Sequence, residues 1–363
     1  MENLYPMLVI FSYSLVLNSM PPLLSSFREL FDISIAVSSL LPFFSLAGTV
    51  ISNIFTGLYL GRLGIKRALL IGYTLTITGS LIVAFSGNYL LSMLGLFVFG
   101  LSTGFGFTSS TTLLAQAKNA NFGFFHGAYG LGGVIAPLCI TWATKYLGDF
   151  RNVYLIYTIL FLTLGIYTIL KHFPALHNQQ GGFSLRGIVD AFKDGNFSTF
   201  LLLLIFYSSV EIGIITWAGT IMKERILSTY MAYALFWVTF TVSRFITNTI
   251  QKAIPNLLRT NVLILVFTIA LLFIFRNPLF FVFSGFFFGP LFPYVQKCAL
   301  GKIQKDHVTL FNGATYAFTS LGGSVVSMLL GVIIEKNISF SLVVPLIILL
   351  GMGYISFKTA KVR

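Results

Sequence analysis

The chain has 363 residues, of which 56% are hydrophobic, only 9% are charged and 39 are Phe, with a mean hydropathy of +0.89. That balance excludes a water-soluble fold, because too few polar residues remain to cover the surface of a chain this long. A formal net charge of +13 on such a chain points to topology and anionic lipid, not nucleic acid.

Stretches of about 20 apolar residues cross the hydrocarbon core of a bilayer as helices. Twelve are predicted, at 4–26, 34–58, 67–86, 89–114, 121–144, 152–171, 199–222, 228–251, 260–275, 278–299, 308–334 and 339–358. The longest interruption, 172–198, contains "HNQQGGFSLRGIVDAFKDGN" and divides the chain into an N-terminal six-helix bundle (1–171), a cytoplasmic linker (172–198) and a C-terminal six-helix bundle (199–363). The fold class is therefore all-α integral membrane. With an N-terminus inside, fifteen Lys and Arg fall on the cytoplasmic side and seven outside. That bias favours a multi-pass protein with both termini cytoplasmic. Short loops and the lack of sorting segments suggest a prokaryotic inner (plasma) membrane, and no cleavable signal peptide is evident. A monomer is expected, in contact with membrane lipid.

In span 1, Asn18 precedes "SMPPLL", where Pro21 and Pro22 must free backbone carbonyls or kink the helix. Polar residues beside broken helices often line substrate cavities. Between spans 2 and 3 the chain reads "GLYLGRLGIKRALLIG", rich in Gly and basic residues. Span 4 carries Thr111 and Thr112 near its end, with Gln116 beyond. His126 is the histidine of span 5, and an imidazole titrates near neutrality. It suits a proton relay or a gate, and equally a packing role beside Gly127 and Gly130.

Span 7 holds the deepest acidic residue of the ten in the chain. Counting from Thr199 at about 1.5 Å per residue puts Glu211 about 18 Å along a helix crossing a core of ~30 Å. An ionised carboxylate there costs at least about 2.5–3.5 kcal/mol, so it should face a watery cavity or take up a proton. Tyr207 and Ser208 share its face, at i−4 and i−3. Six residues on, Trp217 can stack on the apolar face of a sugar or serve as packing. Arg244, six residues from the inner end of span 8, reads as a snorkelling arginine or as a latch at the cytoplasmic gate. In spans 10 and 11, Tyr294, Gln296, Asn312, Thr315 and Tyr316 are candidate hydrogen-bonding groups for a hydroxylated solute, though Tyr and Asn also join helices.

The halves repeat. "FVFGLSTG" (97–104) matches "FVFSGFFFG" (281–289), each with Gly-x-x-x-Gly, and "HGAYGLGG" (126–133) echoes "NGATYAFTSLGG" (312–323). Span 4 thus corresponds to span 10 and span 5 to span 11. Small residues at this spacing let helices approach closely in lipid, and paired halves are also the parallel repeat of a rocking transporter.

"GLYLGRLGIKRALLIG" resembles the cytoplasmic loop signature of the major facilitator superfamily. Gly57, Arg62, Gly64, Lys66 and Arg67 fit it, while Gly61 stands at the acidic position and Ile65 at the first basic one. The resemblance implies two pseudo-symmetric bundles, with a weaker latch for want of the acid. "NANFGFFHGAYGLGGVIAP", "SVEIGIITWAG", "FWVTFTVSRF", "GFFFGPLFPYVQ" and "LGGSVVSMLLG" look, in order, like helices 5, 7, 8, 10 and 11 of the fucose–proton symporter branch, whose members carry sugars and related solutes. That branch uses carboxylates in helices 1 and 4; this chain has Asn18 in one and neutral groups such as Thr111, Thr112 and Gln116 in the other. Proton coupling then rests on Glu211, with or without His126.

The expected function is secondary active transport of a small polar organic solute, such as a sugar, by alternating access and coupled to protons through Glu211. An exporter of amphipathic compounds, a uniporter, and a non-transporting receptor or scaffold are the rivals. No enzyme is expected, since no nucleophile–base pair or phosphate loop appears. Cys139 and Cys298 lie in different spans and give no disulfide framework or metal spacing, and no cofactor is expected.

Overall fold

The computed structural model describes residues 3–117, 122–173, 185–223, 226–254, 256–304 and 307–360, which are helical with no strand among them. In chain order the helices are α1 (Leu4–Leu17), α2 (Met20–Phe31), α3 (Ile35–Ser38), α4 (Leu40–Leu63), α5 (Ile65–Ala84), α6 (Tyr89–Ala115), α7 (Phe122–Leu147), α8 (Val153–Leu170) and α9 (Leu185–Lys193). There follow α10 (Gly195–Ile221), α11 (Thr229–Phe245), α12 (Thr247–Ala253), α13 (Leu257–Phe275), α14 (Pro278–Phe288), α15 (Leu291–Leu300), α16 (Val308–Lys336), α17 (Ile338–Ser341) and α18 (Val343–Ala360).

The links show why the apolar runs end where they do. Asn88, Ser228, Asn277 and Asn337 each accept a hydrogen bond from a backbone N–H in the first turn of the helix they precede, supplying donors in that turn with a partner. Gly64 turns α4 into α5 at φ +75°, a backbone that glycine adopts without strain. The break foreseen at Asn18 is present: α1 stops at Leu17 and α2 starts at Met20, with Pro21 and Pro22 in its first turn. A second interruption comes at Gly289–Pro290, between α14 and α15.

Eleven helical runs among the described residues are long and apolar enough to cross a membrane. The remaining predicted span, 228–251, folds as α11 and α12 with Ile246 non-helical between them. Ser243 Oγ donates to the Phe240 carbonyl and Thr247 Oγ1 to that of Ser243, both at 2.9 Å. Such back-bonding competes with the helical ladder and bends it. The predicted linker 172–198 carries α9 and the first turn of α10; residues 174–184, like Lys118, Arg225, Lys305, Lys361 and Arg363 of the charge census, lie outside the described residues.

The helix ends form two faces. On the terminal face, Lys66 Nζ donates to the carbonyls of Ile169 (2.6 Å) and Lys171 (3.3 Å), and Asn196 Nδ2 reaches the Lys302 carbonyl at 3.4 Å. On the far face, Tyr89 donates to the Val37 carbonyl (2.7 Å), Arg276 Nε to that of Ile221 (2.7 Å), and the Ala36 N–H to Glu335 Oε2 (2.5 Å). The last bond joins the first half of the chain to the second. Helices α4 and α6 pack closely in the first half and α11 and α14 in the second; between the halves, α7 meets α11 and α16 meets α4.

A far-face ion pair gives a pH test. Arg151 holds Asp149 at 2.6 Å and donates to the Ser86 carbonyl at 2.5 Å, and this hydrogen-bonded guanidinium keeps the Asp149 carboxyl below the usual aspartate range. The folded state thus favours the ionised form. Its stabilisation is present above the ordinary value of about 3.9 and is lost as pH falls through the lower folded value. With 21% and 34% of the two side chains exposed, about 0.2–1 kcal/mol is expected. Asp149→Asn should lower the melting temperature by a few degrees or less at pH 7, and melting curves of the two proteins should begin to approach as pH falls below the ordinary aspartate value and converge only below the lower folded one.

Candidate functional site

The middle of the molecule gathers polar groups from helices of both halves. Glu211 on α10 interacts electrostatically with Arg244 on α11 and with the Tyr207 hydroxyl one turn back. Tyr129 on α7 feels both Glu211 and Arg244 and lies near the Asn18 side chain at the α1–α2 break. His126, one turn from Tyr129, faces Arg244. Tyr316 on α16 lies within electrostatic reach of Arg244 and near the Thr111 side chain on α6. Glu211, His126, Tyr129, Arg244 and Tyr316 each keep some accessible surface although protein surrounds them, so they line an internal space.

Local sequence explains how they converge. Asn18 Nδ2 donates to Ser14 Oγ at 2.8 Å, and Ser14 in turn bonds to the Tyr129 carbonyl, tying the helix break to α7. Gly130 lies against the Thr241 side chain with no room for a Cβ, so α7 approaches α11 closely enough to bring His126 and Tyr129 beside Arg244. Arg244 is held in two ways. Its guanidinium lies 4.2 Å from the centroid of the Phe240 ring, and its Nε donates to the Gly289 carbonyl at 3.2 Å. In a continuous helix that carbonyl would accept from residue 293, which is Pro293 and has no N–H. The arginine therefore takes a place the sequence leaves vacant.

The electrostatics are unbalanced at close range. No ion pair within 4.0 Å joins Glu211 to Arg244. The Tyr207 hydroxyl, on a side chain 1% exposed, is near both but closes a full hydrogen bond with neither. Glu211, Arg244 and the Tyr207 hydroxyl are thus neighbours that close no ion pair or hydrogen bond with one another. At about 1.5 Å per residue Glu211 lies about 15 Å from the far end of α10, close to mid-membrane depth.

Other candidate residues sit elsewhere. Trp217 is 0% exposed, and its indole N–H donates to the Ser327 carbonyl at 2.7 Å; it packs between α10 and α16 and does not line the space. Ser208 donates to the Thr319 carbonyl at 3.3 Å and not to Glu211. Gln116 is exposed at the end of α6. Tyr294 and Gln296 are half-buried on α15, each with a partner. The side chain of Asn312 lies outside the described residues. In the loop motif Gly57, Arg62 and Arg67 are exposed and Arg62 lies against the Tyr59 ring at 5.8 Å, while Lys66 caps the end of α8. Arg244 donates to the Gly289 carbonyl and lies within electrostatic reach of Glu211. Tyr129 was not singled out from sequence, because "HGAYGLGG" drew attention to its glycines; its signal was the i+3 spacing from His126.

The family model described as Major Facilitator Superfamily matches residues 6–327. Among curated proteins none matches in sequence. Solved structures share the fold: a variant of the E. coli fucose:proton symporter FucP at TM-score 0.67 and 15% identity, covering 98% of this chain and 97% of that one. The POT family transporter PepTSo follows at 0.75 and 13%, covering 98% of each, and a peptide transporter POT in complex with sulfate at 0.73 and 12%, covering 98% and 94%.

Proposed function

The chain belongs to the Major Facilitator Superfamily, and we propose that it moves a small polar organic solute of the sugar class together with a proton. Glu211 is the proton-carrying group, with His126 and Tyr129 beside it. Two six-helix bundles, 1–171 and 199–363, joined by the linker 172–198, rock about the central space; α11 and α12 together complete the twelfth crossing. Two features support this repeat. The Gly-x-x-x-Gly of α6 packs on α4, and that of α14 with Gly289 packs on α11, which is the same pairing of fourth on second helix in each half. The halves also meet through α7 on α11 and α16 on α4, pairs that the repeat interchanges. The excess of Lys and Arg on the terminal face makes that face cytoplasmic, in the inner membrane of a cell, and the protein works as a monomer.

The observation that carries the reading is Glu211 itself, a carboxylate at mid-depth that faces an internal space without an ion pair. Such residues in membrane spans mark proton or substrate paths. The fold likeness to a protein named as a fucose:proton symporter adds support for the solute class.

The test uses proteoliposomes with a trapped pH dye and a panel of sugars and small acids. Wild type should take up protons when a transported solute is added. Glu211→Gln should lose proton uptake while solute exchange survives. Proton uptake that persists in the mutant removes Glu211 from the coupling role, and solute uptake without proton movement in wild type makes the protein a uniporter.

A further inference from the structure

We propose that Arg244 binds an anionic group on the cargo, so that the solute is an organic acid, such as a sugar acid, and not a neutral sugar. This inference rests on the transport reading above and narrows its substrate class.

A guanidinium offers five N–H donors in a planar fork. Within the protein, Arg244 commits Nε to the Gly289 carbonyl and its ring-facing surface to Phe240. These contacts use Nε and one face of the guanidinium and leave its two terminal nitrogens with no hydrogen bond to a described residue, in a neighbourhood shared with Glu211, Tyr207, Tyr129 and Tyr316. Among the described residues no carboxylate approaches the guanidinium within ion-pair distance. A second observation points to the same ligand: the Tyr207 hydroxyl is buried, lacks a hydrogen-bond partner and lies beside both charges. Together they form a bidentate cationic fork with a neutral donor at its edge, which matches the two oxygens of a carboxylate. A neutral sugar would leave the fork's charge uncompensated.

The arrangement also gives a reason for coupling. Glu211 and a bound solute carboxylate would share one guanidinium, and two ionised carboxylates around a single cation repel each other. Binding of the anion is therefore favoured when Glu211 carries a proton, and release of one favours release of the other. Acid and proton travel together with no net charge added to the site. The groups facing the pair from the surrounding helices are Tyr207, Tyr129, His126 and Tyr316.

The experiment measures binding to the purified full-length protein by titration calorimetry. The probes are glucuronate, galacturonate, gluconate and lactate, each against a neutral counterpart: glucose, galactose, sorbitol and 1,2-propanediol. At least one acid should bind about tenfold or more tightly than its counterpart. Arg244→Gln should remove that preference, and Arg244→Lys, which keeps the charge without the fork, should restore only part of it. Tyr207→Phe deletes a hydroxyl that bonds to nothing in the protein, so it should fold normally and weaken only the acid, by about fivefold or more. It keeps the test open if the arginine variants do not fold. Equal binding of acid and neutral solute, or no acid binding across the panel, overturns the proposal. Neutral-solute uptake that drives protons through Glu211 overturns it while leaving the transport reading intact. Acid uptake lost in Arg244→Gln but moving no protons does the reverse.

Discussion

Gly100→Val is expected to leave almost no monodisperse protein after detergent extraction. A Cβ at Gly100 would fall on the Ser45 carbonyl oxygen, and one at Gly104 on the backbone of Ser52 and Asn53. The obstacle is main chain, which cannot rotate away, so α4 and α6 would have to separate. Their separation also breaks bonds that close contact permits: Thr103 Oγ1 to Thr49 Oγ1 at 2.8 Å, the Gly104 N–H to Ser52 Oγ at 3.0 Å, and Ser52 Oγ to the Gly100 carbonyl at 3.3 Å. Overpacking costs about 1–3 kcal/mol and occasionally more, and each lost bond adds about 0.5–1.5 kcal/mol. The sum approaches the whole stability of a marginal fold, about 5–15 kcal/mol. Gly61→Ala is the control, since nothing lies within 4 Å of its added carbon. Size-exclusion profiles and thermal melts of the two variants check this. A Gly100→Val protein melting within a few degrees of wild type would mean the helices are not held at this spacing.

What could be read from the sequence follows from what lipid demands. In hydrocarbon every backbone group must be satisfied within the segment, so span length and the capping residues between spans are written locally. The break at Asn18, the turn at Gly64 and the paired Gly-x-x-x-Gly elements were legible for that reason. The division of 228–251 into α11 and α12 was less so, because hydroxyl back-bonding by Ser243 and Thr247 reads as ordinary polarity inside a span. The site was legible in part. Depth alone picks out Glu211, and its neighbour Tyr207 follows from helical spacing. Arg244 was visible as a charge, but its direction depends on a vacancy created by Pro293 on another helix. Trp217 illustrates the converse: its motif points to a ligand, whereas its surroundings, Ser327 and Gly331 on α16, come from residues more than a hundred positions away. Direction around a helix is a tertiary property, and sequence fixes it only where both partners are local.

Trp217→Ala is expected to act on stability and on the gate, not on solute affinity. The indole is fully buried and bonded to the Ser327 carbonyl, and its ring lies against Gly331. Removing it leaves a large cavity, which costs about 3–5 kcal/mol; Trp217→Phe loses chiefly the hydrogen bond, about 0.5–1.5 kcal/mol. The melting temperature should therefore fall steeply in the first variant and slightly in the second. The Kd of a transported solute for the folded fraction should stay within about twofold in both. A stacking role would give the opposite pattern, with affinity falling about tenfold or more at a modest cost in melting. The position has a further consequence. Gly331 touches Ser39 of the first half, one turn from the bond between the Ala36 N–H and Glu335. The tryptophan thus braces the strip of α16 against which the far face closes. If the halves rock about the central space, the Ala variant should hold that face open for longer. A cysteine at Ser38, buried while this face is closed, should then be labelled from the far side about fivefold faster or more in Trp217→Ala than in wild type. Unchanged labelling with a lowered melting temperature would confine Trp217 to packing within the second half.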